Sequence, residues 1–358
     1  MCGYVGQMAR PTATALEREL PREAQPRRLV RRGAQVLALL LALLAVIAFA
    51  PGLGEVRQRL GDSDAGWLAV GVVLEFLSGV SYVLAFRPVF CPAMSWRSTW
   101  EISWAELGMG SLVPASGAGG LALGAWILHR RGMPAEQVAR RSVAFFLLKS
   151  SVNFAAVAIL GTLLALGLLG PDLSLWLTAF PAAMAALVIA AVIVVGTARR
   201  TRAGGADPPR NRAARGWRAV ERALIGGVRE ALRLLRARDP LLLVGVVGYW
   251  VFDNAVLWAT YHAVGVTPPL TVILMGYLIG QLGGLLPIPG GVGGIDGGLI
   301  ATLIVYGAPA GATVAAVLAY RLILFWLPLV IGVGAFWSLL HSLDRPERPD
   351  LCVPPVAT

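Results

Sequence analysis

The stretch GQLGGLLPIPGGVGGIDGGLI, residues 280–300, interrupts a strongly apolar part of the chain with nine glycines, two prolines and one aspartate. Glycine and proline are the poorest helix formers, and both are concentrated at its centre. A break of this kind within an apolar run predicts two half-helices that meet at a turn.

The composition indicates an integral membrane protein. Of the 358 residues, 57% are hydrophobic and only 14% are charged. The apolar residues come in blocks of about 20, which is the length that a helix needs to cross a bilayer. The sequence therefore predicts an all-α polytopic membrane protein with about six full spans and two re-entrant broken hairpins. This leaves no room for a separate globular catalytic domain.

The charged and metal-binding residue types exclude several other classes of function. The net charge of +11 comes from arginines that flank the apolar blocks, as the positive-inside rule predicts, so we expect no nucleic-acid binding. The cysteines and histidines are scattered without metal-ligand spacing, and the sequence has no phosphate-binding GxxxxGK[ST] motif. We therefore expect no metal, no cofactor and no ATPase activity. The cysteines are Cys2, Cys91 and Cys352.

Composition also divides the chain into segments. The apolar run 34–50 is interpreted as a retained first helix rather than a cleaved signal peptide, because Pro51 follows its small-residue end. The predicted segments are a cytoplasmic basic tail (1–33), a first membrane half (34–198) with a hairpin near 99–131, a cytoplasmic basic insertion (199–239), a second membrane half (240–341) with a hairpin near 270–307, and a cytoplasmic tail (342–358).

The basic insertion contains an amphipathic pattern over 211–236. Apolar residues recur at steps of three and four, and arginines occupy the other faces. The pattern predicts a helix on the membrane surface that meets anionic headgroups. A role in regulation or in binding a partner is the alternative.

Three motifs of the first half recur in the second half in the same order and at a nearly constant offset. If the arginine-rich segments are cytoplasmic, the two hairpins enter the membrane from opposite faces. The sequence therefore predicts an inverted internal repeat, as in transporters whose substrate sites are built from discontinuous helices. The recurring motifs are GVV (Gly71, Gly245), the Gly-Pro-rich break (Gly110, Gly283) and GMPA/GAPA (Gly132, Gly307).

Two of these segments resemble a known family. LLPIPGGVGGIDGGLI and AYRLILFWLPLVIGVGAF resemble the second half of the flippase-like transmembrane domain of lysylphosphatidylglycerol synthases and their stand-alone relatives. LVPASGAGGLALGAWILHRRG resembles the first-half motif, although Leu121 and Ala122 replace an expected acidic or polar residue. The resemblance covers roughly residues 35–340. It implies a lipid-handling membrane protein that lacks the aminoacyl-transferase domain, so synthase activity is not expected.

The two hairpin turns supply the first group of candidate site residues. An outgoing half-helix that starts near Gly293 would aim free N–H groups at a cavity, which suits a phosphate or carboxylate. Close packing of small residues is the alternative role for some of the glycines. The candidates are Pro287, Pro289, Gly290, Gly291, Gly293 and Gly294 in the second turn, and Pro114, Gly117, Gly119 and Gly120 in the first.

Charged residues within apolar segments form the second group, because each one needs a partner or a watery cavity. Asp296 either caps its half-helix or contacts substrate, and Arg321 either pairs with Asp296 or holds a lipid phosphate. Asp253 either pairs with another helix or contacts substrate. Glu101 and Glu106 complete the candidates, and Lys149 and Glu75 rank below them.

The leading functional hypothesis is a lipid flippase or transporter that moves an anionic or modified phospholipid, or a lipid-linked molecule, between leaflets. The alternatives are an intramembrane transferase, with Glu101 or Glu106 as base and Arg321 on a phosphate, and a non-catalytic scaffold. We expect a bacterial or archaeal cytoplasmic membrane with both termini cytoplasmic. The expected partners are membrane phospholipids and a lipid-modifying enzyme. The sequence does not indicate the oligomeric state.

Overall fold

A computed structural model describes residues 52–112, 118–170, 173–197, 212–280 and 294–343, together with positions 31, 34, 35, 38 and 49. Within these residues the regular structure is entirely helical, which confirms the all-α prediction. The helices from residue 52 onward are α1 (Gly54–Gly61), α2 (Ala65–Phe90), α3 (Trp96–Leu112), α4 (Ala118–Arg130), α5 (Ala135–Ala165), α6 (Leu175–Thr197), α7 (Arg212–Ala237), α8 (Pro240–Ala263), α9 (Leu270–Gly280), α10 (Gly294–Val305) and α11 (Ala310–Leu343).

Five of these helices are long and apolar enough to cross a membrane, namely α2, α5, α6, α8 and α11. The chain is therefore a multi-pass membrane protein. The predicted first span, residues 34–50, lies mostly outside the described residues, as do the centres of both hairpin turns at 113–117 and 281–293.

The helices repeat with the period of the sequence motifs. The starts of α2, α3, α4 and α5 precede those of α8, α9, α10 and α11 by nearly the same separation in sequence. Corresponding ends use corresponding residues, since Asp64 caps α2 and Asp239 caps α8 through hydrogen bonds to free backbone N–H groups. Gly132 and Gly307, which follow α4 and α10, both have positive φ angles, 92° and 99°. The structure thus extends the repeat to whole helices.

The equivalent helices α2 and α8 run antiparallel and pack closely. A Cβ atom added at Gly71 would lie 4.0 Å from the Ala259 Cβ, and one added at Gly245 would lie 2.4 Å from the Ala85 nitrogen. Gly245 follows Gly71 by the same offset by which Ala259 follows Ala85, so corresponding residues meet twice with the partners exchanged, more closely at Gly245. This relation defines a local two-fold axis between the two helices.

The first hairpin packs against the last helix of the opposite half. A Cβ atom at Gly108 of α3 would lie 2.8 Å from the Pro328 oxygen of α11, and one at Gly332 would lie 2.5 Å from the Trp104 oxygen. Helix backbones approach this closely only where both helices carry small residues. The two halves are therefore joined by α3 and α11 as well as by α2 and α8.

Helix α7 confirms the helix predicted in the basic insertion and shows where its apolar face lies. Val228 is buried, and a Cβ atom at Gly227 would meet the Val143 side chain of α5 at 2.4 Å. Val220 and Leu224, closer to the start of the helix, are each 51% exposed. Only part of the apolar face is therefore covered by protein. The exposed part is free to meet the membrane surface, which stays a prediction.

The contact between α2 and α8 predicts that alanine destabilises the protein at Gly245, and Gly334, a glycine of α11 with open space beside it, is the control. Gly245→Ala places a methyl group against the α2 backbone and should cost about 1–3 kcal/mol through overpacking. Gly334→Ala on α11 meets open space and should leave stability unchanged or raise it by up to about 1 kcal/mol through helix propensity. Thermal unfolding of the detergent-solubilised variants measures both effects. Wild-type stability of Gly245→Ala would contradict the close packing.

Candidate functional site

The second half contains a buried carboxylate held by two tyrosines from different helices. Asp253 of α8 accepts hydrogen bonds from the hydroxyls of Tyr277 on α9 and Tyr320 on α11, the latter at 2.9 Å. All three residues are buried. A buried carboxylate in an apolar helix is costly unless donors satisfy it, and the two hydroxyls do so. Of the two roles predicted for Asp253, the structure shows pairing with other helices.

An ion pair lies one residue further along α11. The Arg321 guanidinium donates through Nε to the Asp296 carboxylate in the first turn of α10. The side chains are 29% and 18% exposed, so the pair is partly open to its surroundings. Arg321 also attracts Asp253 electrostatically, and its Nη2 has no partner within the described residues. The pairing of Asp296 with Arg321 that the sequence raised as one alternative is therefore present.

Glu75 of α2 adds a second carboxylate beside Asp253. It is 7% exposed, interacts electrostatically with Asp253, and its Oε2 has no partner among the described residues. Glu75 lies near the middle of the crossing between α2 and α8, where the Ser78 hydroxyl donates to the Tyr249 carbonyl at 3.2 Å. The sequence ranked Glu75 low, but the fold places it at the junction of the two halves.

The first half contains a matching buried cluster. The Tyr82 hydroxyl of α2 donates to the Glu106 Oε2 of α3 at 2.7 Å, and Lys149 of α5 attracts Glu106 electrostatically. The Lys149 Nζ lies 4.6, 5.1 and 5.3 Å from the ring centroids of Tyr82, Phe145 and Tyr249. Aromatic faces attract a cation, so the lysine is held by three rings and a nearby carboxylate. The sequence also ranked Lys149 low.

Two glycines of α4 make room for Glu106. A Cβ atom at Gly124 would lie 1.4 Å from the Glu106 Oε1, and one at Gly120 would lie 2.2 Å from the Glu106 backbone oxygen. Gly119 and Gly120, predicted at the first hairpin turn, belong to the first turn of α4, which begins at Ala118. Gly120 and Gly124 therefore serve helix packing around a buried carboxylate, in addition to any role of Gly120 at the turn.

The two clusters lie on corresponding faces of equivalent helices, displaced by about one helical turn. In each half, one residue comes from the span before the hairpin (α2 or α8), one from the incoming hairpin helix (α3 or α9) and one from the long helix after the hairpin (α5 or α11). Each residue of the first cluster is separated from its counterpart in the second by the same number of residues. This number is about one helical turn shorter than the motif period, so the counterparts lie on the same faces of their helices. The carboxylate and the tyrosine exchange helices between the halves. The equivalent pairs are Tyr82 and Asp253, Glu106 and Tyr277, and Lys149 and Tyr320.

Glu101 does not join Glu106. Its Oε1 accepts hydrogen bonds from the Arg97 Nε at 3.0 Å and from the Ser338 hydroxyl of α11 at 2.8 Å. The two glutamates that the sequence grouped therefore lie in different surroundings. Gly294 is the first residue of α10. The remaining turn candidates, Pro114, Gly117, Pro287, Pro289, Gly290, Gly291 and Gly293, lie outside the described residues.

Comparison with known proteins matches most of this chain to a family. Residues 35–332 match the lysylphosphatidylglycerol synthase transmembrane region, which is most of the chain. The chain belongs to this family. It is also similar to two proteins of Methanothermobacter thermautotrophicus, each described as a UPF0104 membrane protein. One is 24% identical and covers 85% of this chain and 94% of its own length, and the other is 25% identical and covers 86% and 94%.

Membership of the lysylphosphatidylglycerol synthase transmembrane-region family gives a lipid-related membrane protein and confirms the resemblance inferred from the hairpin motifs. The match concerns the membrane region of those synthases. Among the described residues of this family member, no group of histidine, cysteine, aspartate and glutamate side chains could hold a metal ion.

The fit of Glu106 beside α4 predicts a non-additive pair of substitutions. Gly124→Ala should lower thermal stability by about 1–3 kcal/mol, because the new methyl group displaces a buried carboxylate from its tyrosine. In a Glu106→Ala background the same Gly124→Ala substitution should cost little, since the colliding atoms are gone. Unfolding midpoints of the four proteins measure this coupling. Equal effects of Gly124→Ala in both backgrounds would contradict the described contact.

Proposed function

We propose that the protein moves a phospholipid, anionic or modified in its headgroup, or a lipid-linked molecule, between the two leaflets of a cytoplasmic membrane. The observation that carries the proposal is the pair of equivalent buried clusters, each built from a hairpin helix and two long spans in one of two antiparallel halves. Inverted-repeat transporters are built from two related halves of this kind, and they open alternately to the two sides when one half moves against the other. The family's link to lipid-modifying enzymes supports a lipid as the cargo.

The lengths of the hairpin helices support re-entrant hairpins. Helices α9 and α10 contain 11 and 12 residues, and α3 and α4 contain 17 and 13. A full span needs about 20 residues, so the described parts of α4, α9 and α10 are too short to cross the bilayer alone. With arginine-rich segments inside, the first hairpin enters from the cytoplasm and the second from outside, and both chain termini are cytoplasmic.

The second-half cluster has the chemistry to bind a phosphate headgroup. Arg321 is partly exposed and carries a buried Nη2 without a described partner, so it can exchange Asp296 for a lipid phosphate and bind it through two N–H groups. Asp296 then holds the arginine in place when no lipid is bound. The hydrogen-bonded Asp253 and the adjacent Glu75 are the candidate proton carriers for coupling transport to a gradient.

The distribution of charges favours transport over the transferase alternative. The transferase suggested by the sequence would need its base, Glu101 or Glu106, in one site with Arg321 on the phosphate. Glu106 is enclosed by Tyr82 and the α4 glycines, whereas Arg321 pairs with Asp296 in the other cluster. Glu101, the second base considered, bonds Arg97 and Ser338. A lipid-modifying enzyme remains a proposed partner that would supply or consume the cargo.

Transport is tested in proteoliposomes that contain fluorescent phosphatidylglycerol or phosphatidylethanolamine, with dithionite quenching to report exchange between leaflets. The wild-type protein should exchange at least one of these lipids faster than protein-free vesicles. Arg321→Met and Asp253→Asn should each lower that rate about tenfold or more, equivalent to about 1.4 kcal/mol in the barrier. Glu136→Gln, which removes an exposed carboxylate at the start of α5, is the matched control and should have no effect.

Only variants that elute as one species and unfold near the wild-type temperature are compared. Exchange by both cluster variants at the wild-type rate would refute the role given to the cluster. Exchange by the wild-type protein no faster than in protein-free vesicles, with either lipid, would refute lipid transport.

A further inference from the structure

A groove of about 520 Å³ lies between α3 and α11, apart from both buried clusters. Its volume falls in the range of ligand sites in proteins. The two helices run antiparallel here, since Glu101 bonds Ser338 near one end and Gly108 meets Gly332 nearer the other. The groove extends from this glycine contact toward the start of α3 and the end of α11.

One end of the groove is polar and contains an unsatisfied carboxylate oxygen. Glu101 is 5% exposed, and its Oε1 is occupied by Arg97 and Ser338. Its Oε2 is buried, with no partner within the described residues, although Glu101 lines the groove. A buried acceptor without a donor is costly, so this oxygen suits a ligand that brings an N–H or O–H group. The Arg97 side chain beside it is 69% exposed and presents a positive charge at the mouth.

The other end is apolar and open at the side. Val330, Ile331 and Gly334 line it from α11, and Val330 is 65% exposed. Val330 precedes Ser338 by eight residues, which is about 12 Å along a helix. A Cβ atom at Gly334 would meet nothing within 4 Å, so the space beside this glycine is unfilled. In a bilayer, an apolar slot of this shape faces acyl chains.

We propose that this groove binds a membrane phospholipid whose headgroup carries a hydrogen-bond donor. The phosphate lies against Arg97, the donor bonds the free oxygen of Glu101, and one acyl chain follows α11 past Gly334 to Val330. The charges are complementary, because a cation meets the phosphate and a carboxylate meets the donor. Binding here extends the proposed transport function but does not require it, since a lipid held in the groove need not cross the membrane.

The donor requirement is tested with two lipids that differ only at the headgroup nitrogen. Delipidated protein in detergent is titrated with phosphatidylethanolamine or phosphatidylcholine of the same acyl chains, and native mass spectrometry counts bound lipid. Phosphatidylethanolamine has an ammonium donor and phosphatidylcholine has none. The wild-type protein should bind phosphatidylethanolamine about tenfold more tightly, the ratio expected for one hydrogen bond to a charged group. Glu101→Gln should remove most of that preference.

The groove itself is tested by filling it. Gly334→Leu should lower the binding of both lipids about tenfold or more, whereas Val333→Leu, an added methylene at the exposed neighbouring position outside the groove, should leave binding unchanged. Equal affinity of the wild-type protein for the two lipids would refute the donor site. Unchanged binding by a correctly folded Gly334→Leu variant would refute the groove. Competition by soluble glycerophosphoethanolamine as strong as that by the lipid would show a headgroup site without an acyl chain and would also refute the proposal.

Discussion

The close antiparallel contact between α2 and α8 determines how the rest of the structure is arranged. Lipid tails are as apolar as the helices, so spans associate through close packing and polar contacts rather than through the hydrophobic effect. Gly245 allows the α8 backbone to approach Ala85, and at the reciprocal position Gly71 lies beside Ala259 at ordinary van der Waals distance. Because both contacts are related by the same offset, they impose a two-fold relation on the helices that follow each of them. The hairpin helices and long helices of the two halves are arranged around this axis.

The same contact explains why charged groups can be buried in so apolar a chain. The halves meet where Glu75 and Asp253 interact, and Asp253 is satisfied by tyrosines from α9 and α11. In the first half, the partners of Glu106 are Tyr82 and Lys149. The two clusters lie on corresponding faces but differ in charge, because the partly exposed ion pair of Asp296 and Arg321 lies directly beside the second one. This asymmetry makes the second cluster the better candidate for contact with a headgroup.

The sequence predicted the helical class, the repeat and the helix of the basic insertion, because each is a local pattern or a comparison between two local patterns. The re-entrant hairpins stay a prediction. The sequence also raised the pairing of Asp296 with Arg321, since an arginine far from the ends of a span needs a negatively charged partner or a watery cavity. Lys149 was ranked too low, and the tyrosines were missed. A lone lysine in an apolar run gives no sign of its partner, and a tyrosine in a span reads as an ordinary apolar residue. The common offset between the two clusters was present in the sequence, but only the contacts show which faces meet.

The central claim is that the two halves are inverted in the membrane, and labelling of matched single cysteines tests it most directly. Gly132 and Gly307 are poor sites because their φ angles are positive, whereas Ala135 and Ala310 are exposed first residues of the equivalent helices α5 and α11. In a background without Cys2, Cys91 and Cys352, Ala310→Cys should react with a membrane-impermeant maleimide in intact cells. Ala135→Cys should react only in inverted vesicles. Labelling of both from the same side would contradict an inverted repeat and the transport mechanism built on it.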